Sequence, residues 1–199
     1  MKNNAGMFSW NGLQLEYFDH AYNHTARNMR RVEIPIARWF VAQCQGLILE
    51  VGNVLAHYGH VPWPAVDIRE PGAINADVMR WKPYFPVDLL VSISTIEHIG
   101  FGKFSKDTPT VKPSQVLARF KSFLAPHGMA VVTAPTAYNP ALDDELRGGT
   151  LGAGRMWFMR LVGQNEWEEC SMADALAMPP RASSGRWSGG LMVLVCDAH

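Results

Sequence analysis

The stretch Gly46-Leu47-Ile48-Leu49-Glu50-Val51-Gly52-Asn53-Val54-Leu55-Ala56-His57-Tyr58-Gly59 constrains this chain more than any other. A short apolar run after a glycine suits a strand buried on both faces of a parallel sheet. Glu50 interrupts the run and Gly52 follows two residues later, the form of a strand end at which the backbone turns toward a ligand. A carboxylate at Glu50 can accept hydrogen bonds from the amides of that turn, and Gly52 lets the chain pass close to a small molecule. A dinucleotide loop needs G-x-G-x-x-G to approach a pyrophosphate, which here would meet side chains at Asn53, Val54 and His57. The loop therefore suits a nucleoside without phosphates better than NAD. Taken alone, one glycine after an acid is more often an ordinary strand–turn–helix joint.

With 199 residues, 48% of them apolar, and a formal net charge of zero, the chain can build one sizeable core. Its largest basic group is Arg27, Arg30 and Arg31, too small a field for nucleic acid. Cys44, Cys170 and Cys196 are odd in number and far apart, which argues against a disulfide framework or a zinc site and for a reducing cytosol. No signal-peptide core or apolar run of membrane length is present, so the expectation is a cytoplasmic protein without a membrane partner.

Residues 15–31 read as a helix, with His20, His24, Asn28 and Arg31 on one face. Such a face is most often solvated; the other reading turns it down over a site. Glu33-Ile34-Pro35 restarts a helix with Pro35 near its first turn and Ile34, Ala37, Val41 and Cys44 as its apolar face. After the first strand and its helix, residues 63–68 read as a second strand closed by Asp67, where a Rossmann-like site holds ribose hydroxyls. Residues 73–78 form a third, short strand with Asp77. The gap from Asp67 to Asp77 is too short for a crossover helix, so that connection must shrink to a turn. A fourth strand over 89–93 leads to Ser92, Ser94, Glu97 and His98, small polar and titratable groups at the end where open α/β sheets bind ligands. Residues 101–114 are polar and irregular, a lid or a plain surface loop. A helix carrying Val116 or Leu117, Phe120, Phe123 and Leu124 is stopped by Ala125-Pro126-His127-Gly128, and residues 129–134 form the next strand. Residues 155–162 and 167–170 suit a hairpin, and 191–196 a last strand.

In order, Leu49-Glu50-Val51-Gly52, Val66-Asp67, Asp77-Val78, Asp88-Leu89-Leu90-Val91-Ser92 through Glu97-His98, and Phe123-Leu124-Ala125-Pro126-His127-Gly128 resemble the successive motifs of class I S-adenosylmethionine-dependent methyltransferases. Tyr22-Asn23-His24-Thr25-Ala26-Arg27-Asn28, and Tyr138-Asn139-Pro140 with Leu142-Asp143, resemble a small subgroup associated with sugar and surface-polysaccharide pathways. The single loop glycine and the short second crossover depart from the family pattern.

The resemblance implies a single α/β domain over 1–199: an N-terminal helical cap, 1–45, on a Rossmann-like core, 46–199. That core would hold a mostly parallel seven-stranded sheet with helices on both faces and an abbreviated second crossover. The resemblance places Glu50, Gly52 and Asn53 around the methionine part of S-adenosylmethionine, Asp67 on the ribose, Asp77 and Val78 at the adenine, and Ser94 beside the reacting centre. The acceptor end would be His20, His24 and Arg27, with Tyr138, Asn139, Asp143 and Asp144 opposite, groups that suit a sugar or oligosaccharide hydroxyl. His98, with Glu97 beside it, is the expected proton acceptor; His57 and His24 are the alternatives. Paired carboxylates are compatible with Mg²⁺, although no ligand spacing demands it. The expectation is thus a sugar O-methyltransferase, with a homodimer compatible. The alternatives are a non-catalytic or regulatory cofactor-binding protein, or a methyltransferase for another small molecule.

Overall fold

The computed structural model describes residues 6–101, 111–163, 165–181 and 187–198. Most of the expected lid, 102–110, lies outside the described residues.

The chain opens with a hairpin where a helix was expected. β1 (Met7–Trp10) and β2 (Leu13–Glu16) pair antiparallel across Asn11 and Gly12, both at positive φ, the Asn-Gly turn that matches strand twist. The hairpin buries Phe8 and Trp10, and Tyr17 just after it, against Val32, Ile36 and Trp167. Burying a large apolar side chain contributes about 2 kcal/mol, more than the few tenths per residue that helix propensity offers. Residues Tyr22–Arg27 then make a 3₁₀ turn with Asn23 and His24 in the left-handed region, so His20, His24, Asn28 and Arg31 share no helix face.

α1 (Arg30–Gln43) begins earlier than expected, which puts Pro35 inside the helix rather than in its first turn. Proline has no N–H for the carbonyl one turn back, that of Arg31, and this carbonyl accepts the Phe18 N–H at 3.0 Å instead. Ile34 and Ala37 are fully buried and Val41 and Cys44 partly so, the apolar face read from the sequence.

β3 (Ile48–Val51) is followed only by a 3₁₀ turn, Leu55–Tyr58, in place of a helix. β4 (Ala65–Asp67) and β5 (Ile74–Asn75) add on parallel to it, with a turn as their whole connection. β6 (Val87–Ile93), α2 (Pro113–Lys121) and β7 (Leu124–Pro135) follow. Ala125-Pro126-His127-Gly128 does not stop the helix. The Phe123 carbonyl already accepts the Val87 N–H at 2.9 Å, and the four residues sit inside β7 where its register jumps from Leu124 to Met129 against β6. Next come α3 (Pro140–Arg147), the hairpin β8 (Arg155–Val162) and β9 (Glu166–Cys170), and α4 (Met172–Ala177). A two-residue ladder of β10 (Pro180–Arg181) and β11 (Trp187–Ser188) precedes β12 (Gly190–Asp197).

The main sheet has eight strands in the order β5-β4-β3-β6-β7-β12-β8-β9, one more than the seven expected. Its first five strands run parallel; β12 then pairs antiparallel with β7, β8 with β12 and β9 with β8. Alternation along the strands sets the layers. Leu49, Val51, Leu90 and Val132 meet α2 and α3, while Leu89, Val91, Ile93 and Val131 meet α1. Among the described residues no helix is long and apolar enough to cross a membrane.

Candidate active site

Glu50 ends β3 wholly buried, and its Oε1 accepts the Leu55 N–H at 2.8 Å, the turn amide expected of it. Among the described residues its Oε2 has no hydrogen-bond partner, and burial raises the carboxyl pKa. Gly52 lies at φ +108°, where a Cβ would also overlap Thr95 Oγ1. Gly52→Ala should therefore cost about 1–3 kcal/mol of stability through backbone strain and displacement of Thr95. An unchanged denaturation midpoint would show that the turn tolerates a side chain.

Beyond this turn, a cleft of about 300 Å³ opens at the C-terminal ends of β3, β4 and β6. Gly52, Asp67, Asp77, Val78, Ser94 and His98 all line it. Glu50 stands behind it, and Asn53 lines a separate groove beside Pro71. Asp67 Oδ1 accepts the Arg69 and Glu70 amides at 2.7 and 2.8 Å, which folds the short crossover back on β4. Its Oδ2 has no protein donor among the described residues. Asp77 caps the next turn through the Met79 N–H at 2.9 Å. Glu70 also lines the cleft, tied at 3.1 Å to His57, whose ring stacks on Tyr22.

The centre of the polar network is a residue that the sequence reading assigned only to a helix start. Glu33 is fully buried; its Oε1 accepts the hydroxyls of Ser94 and Thr133, each at 2.6 Å, and its Oε2 pairs with Arg30 Nη1 at 2.9 Å. These bonds tie α1 to the ends of β6 and β7 and hold Ser94 at φ +40°. Arg30 lines the cleft, and its other side-chain N–H groups have no protein acceptor among the described residues. The sequence did carry a signal: an acid set among Val32, Ile34, Ile36 and Ala37, with an arginine three residues before it.

Glu97 is 1% exposed, with Oε1 3.6 Å from His98 Nε2 and Oε2 without a hydrogen-bond partner among the described residues. Burial pushes its carboxyl up to about 8; the charge of Glu33 adds to the rise and Arg30 opposes it. His98 Nδ1 lies 3.5 Å from the Tyr138 hydroxyl, and the two rings meet edge to face. Both contacts are longer than an ordinary hydrogen bond. The Glu97 shift carries a sign. The folded protein holds this proton more tightly than the unfolded chain, so its stability falls as pH rises from 4.5 to about 8 and then levels off. Burial raises Glu50 and Asp143 in the same direction, so the informative comparison is Glu97→Gln against wild type. The variant should show a flatter decline in denaturation midpoint over that window; parallel profiles would mean that Glu97 titrates normally.

No family model matches the chain, and no curated protein matches it. Solved structures do. The N-methyltransferase NodS from Bradyrhizobium japonicum, in complex with S-adenosylhomocysteine, aligns with a TM-score of 0.51 at 12% identity, covering 85% of this chain and 88% of that one. A SAM-dependent methyltransferase from Thermotoga maritima aligns with a TM-score of 0.51 at 12% identity, covering 87% and 91%. The fold is methyltransferase-like.

Within this methyltransferase-like fold the other expected site residues are dispersed. His20, His24 and Arg27 border a separate surface groove with Asp19 and are not among the residues that line the cleft. His20 Nδ1 accepts the Tyr22 N–H at 3.1 Å. Asn139 caps α3, accepting the Ala141 and Leu142 amides, and donates to the Glu97 carbonyl at 2.9 Å. Asp143 accepts the Ala137 N–H at 3.1 Å, and Asp144 pairs with Arg147 at the surface. Among the described residues, no three His, Cys, Asp or Glu side chains are placed to hold a metal ion.

Proposed function

We propose that this chain is an S-adenosylmethionine-dependent methyltransferase for a small polar acceptor, with His98 as the proton acceptor. The observation that carries this reading is the cleft itself. It combines a glycine turn that admits no Cβ with the half-filled carboxylate of Asp67, at the carboxyl ends of parallel strands. That donor and acceptor set fits a nucleoside with a charged amino-acid tail. Asp67 would take the ribose hydroxyls, Asp77 and Val78 the adenine, and Gly52, Arg30 and Ser94 the methionine end, with Glu50 holding the turn behind them; Asn53, expected at the same end, lines the neighbouring groove instead. When bound, the cofactor supplies a methyl group on a sulfonium.

The chain's own part is to position the acceptor and remove its proton. An imidazole is suited to that task, because its ordinary pKa of about 6.5 leaves a neutral base at physiological pH. Glu97 supports His98 indirectly: a carboxyl that keeps its proton to about pH 8 does not lock the neighbouring ring as imidazolium. Tyr138 stands on the other side of the ring.

The acceptor we propose is a small molecule bearing a hydroxyl or an amine. A sugar hydroxyl stays within that class. Of the groups that pointed to it, His20, His24 and Arg27 line a different groove, so the proposal is widened to nitrogen. A binding protein without chemistry is the competing reading, favoured by the single loop glycine. Calorimetry with S-adenosylhomocysteine, followed by mass-spectrometric turnover on sugar and amine panels, separates the two. Asp67→Ala should weaken cofactor binding by about 1–3 kcal/mol, the cost of leaving polar groups unmatched. Unchanged affinity would move the ribose contact to Glu70.

A further inference from the structure

A second cleft, of about 500 Å³, opens at the other end of the sheet, under the C-terminal half of α1. Its walls are Trp39, Phe40 and Trp157, all partly buried, with Met129 between them and Asp88 and Arg155 at its ends. Trp10 packs behind these rings, with centroids 5.3 Å from Trp157, 5.8 Å from Phe40 and 6.1 Å from Trp39. It is fully buried, and its indole N–H has no acceptor among the described residues. The ring planes stand at 59° to 88° to one another, so the cluster presents both faces and edges. Such walls favour a flat aromatic guest through offset and edge-to-face contacts.

The charges decide the guest's polar end. Arg155 is exposed, and among the described residues no hydrogen bond or ion pair of its side chain is found. Asp88 cannot neutralise it. The order β6-β7-β12-β8 sets the two residues three strand spacings apart, about 14 Å. Asp88 also spends Oδ2 on the Leu47 N–H at 2.7 Å. A planar ring held by the aromatic walls with an anion on Arg155 satisfies both features. A guanidinium receives a carboxylate through two parallel N–H bonds.

We infer that this second cleft binds a small aromatic carboxylate, independently of whether the first one transfers methyl groups. The test titrates the full chain with naphthoate, with naphthalenemethanol and naphthylmethylammonium as uncharged and cationic controls. Binding is read by calorimetry and tryptophan fluorescence. Naphthoate should saturate one site, and Arg155→Gln should weaken it by about tenfold or more while leaving the alcohol unchanged. Gln43→Glu, on the exposed rim of α1, adds a negative charge and should weaken naphthoate as well. Cys44 lines the cleft, so naphthoate should also slow its alkylation, followed by mass spectrometry. The inference is overturned by an absence of saturable binding, by Arg155→Gln binding naphthoate as wild type does, or by Cys44 labelling at an unchanged rate.

Discussion

Replacing His98 with Gln is expected to leave cofactor affinity nearly intact while cutting kcat by about 10²–10⁴-fold, the usual share of a general base. Glutamine keeps the size and polarity of the side chain, so the cleft should retain its shape. His98 lines the cleft, and its two ring nitrogens lie near a buried acid and a phenol, 3.6 and 3.5 Å away. A positioned imidazole loses its task when it cannot accept a proton, whereas one that only packs loses little. The readout is therefore the split between kcat and KM, together with calorimetry of S-adenosylhomocysteine. Turnover near the wild-type rate, with cofactor still bound, would place the base elsewhere while sparing the methyltransferase reading.

The second large effect belongs to Glu33. Glu33→Gln leaves the Arg30 guanidinium without its counter-charge in a site that is 13% exposed on the arginine side and closed on the other. Breaking one partner of a buried pair costs about 3–5 kcal/mol, and the slight exposure of Arg30 argues for the lower end. The amide oxygen of Gln can still accept both the Ser94 and Thr133 hydroxyls, as Oε1 of Glu33 does, so Glu33→Ala should cost more. Chemical denaturation measures both. A loss below about 1 kcal/mol for Glu33→Ala would show that solvent reaches the network and screens it. Cofactor affinity should fall in the same variants, because Ser94 and Arg30 line the cleft that Glu33 anchors.

The parts legible in the sequence are those that local pattern specifies. Continuous apolar runs marked β3, β6, β7 and β12, and two strand-like runs across the turn at Gly163–Asn165 marked β8 and β9, because a strand's burial and its turns are written in its own residues. The Glu50–Gly52 turn and the shortened crossover after Asp67 were legible for the same reason: a turn amide needs an acceptor, and six residues cannot span a crossover helix. The N-terminal segment was misread because residues 15–31 carry few helix breakers, whereas the Asn11-Gly12 turn and the burial of Phe8 and Trp10 favour a hairpin.

The sequence by itself determined the layered α/β sheet and which strand ends carry polar groups, since both follow from periodicity and local turn chemistry. Only the tertiary structure decided which polar groups meet. It joined Glu33 to Ser94 and Thr133, residues 61 and 100 positions away, and set Tyr138 beside His98, while His20, His24 and Arg27 came to line a separate groove. Contacts of that kind depend on how α1 crosses the sheet and where the β7–α3 connection returns. Those placements are set by the packing of the whole core rather than by the residues that make the contact.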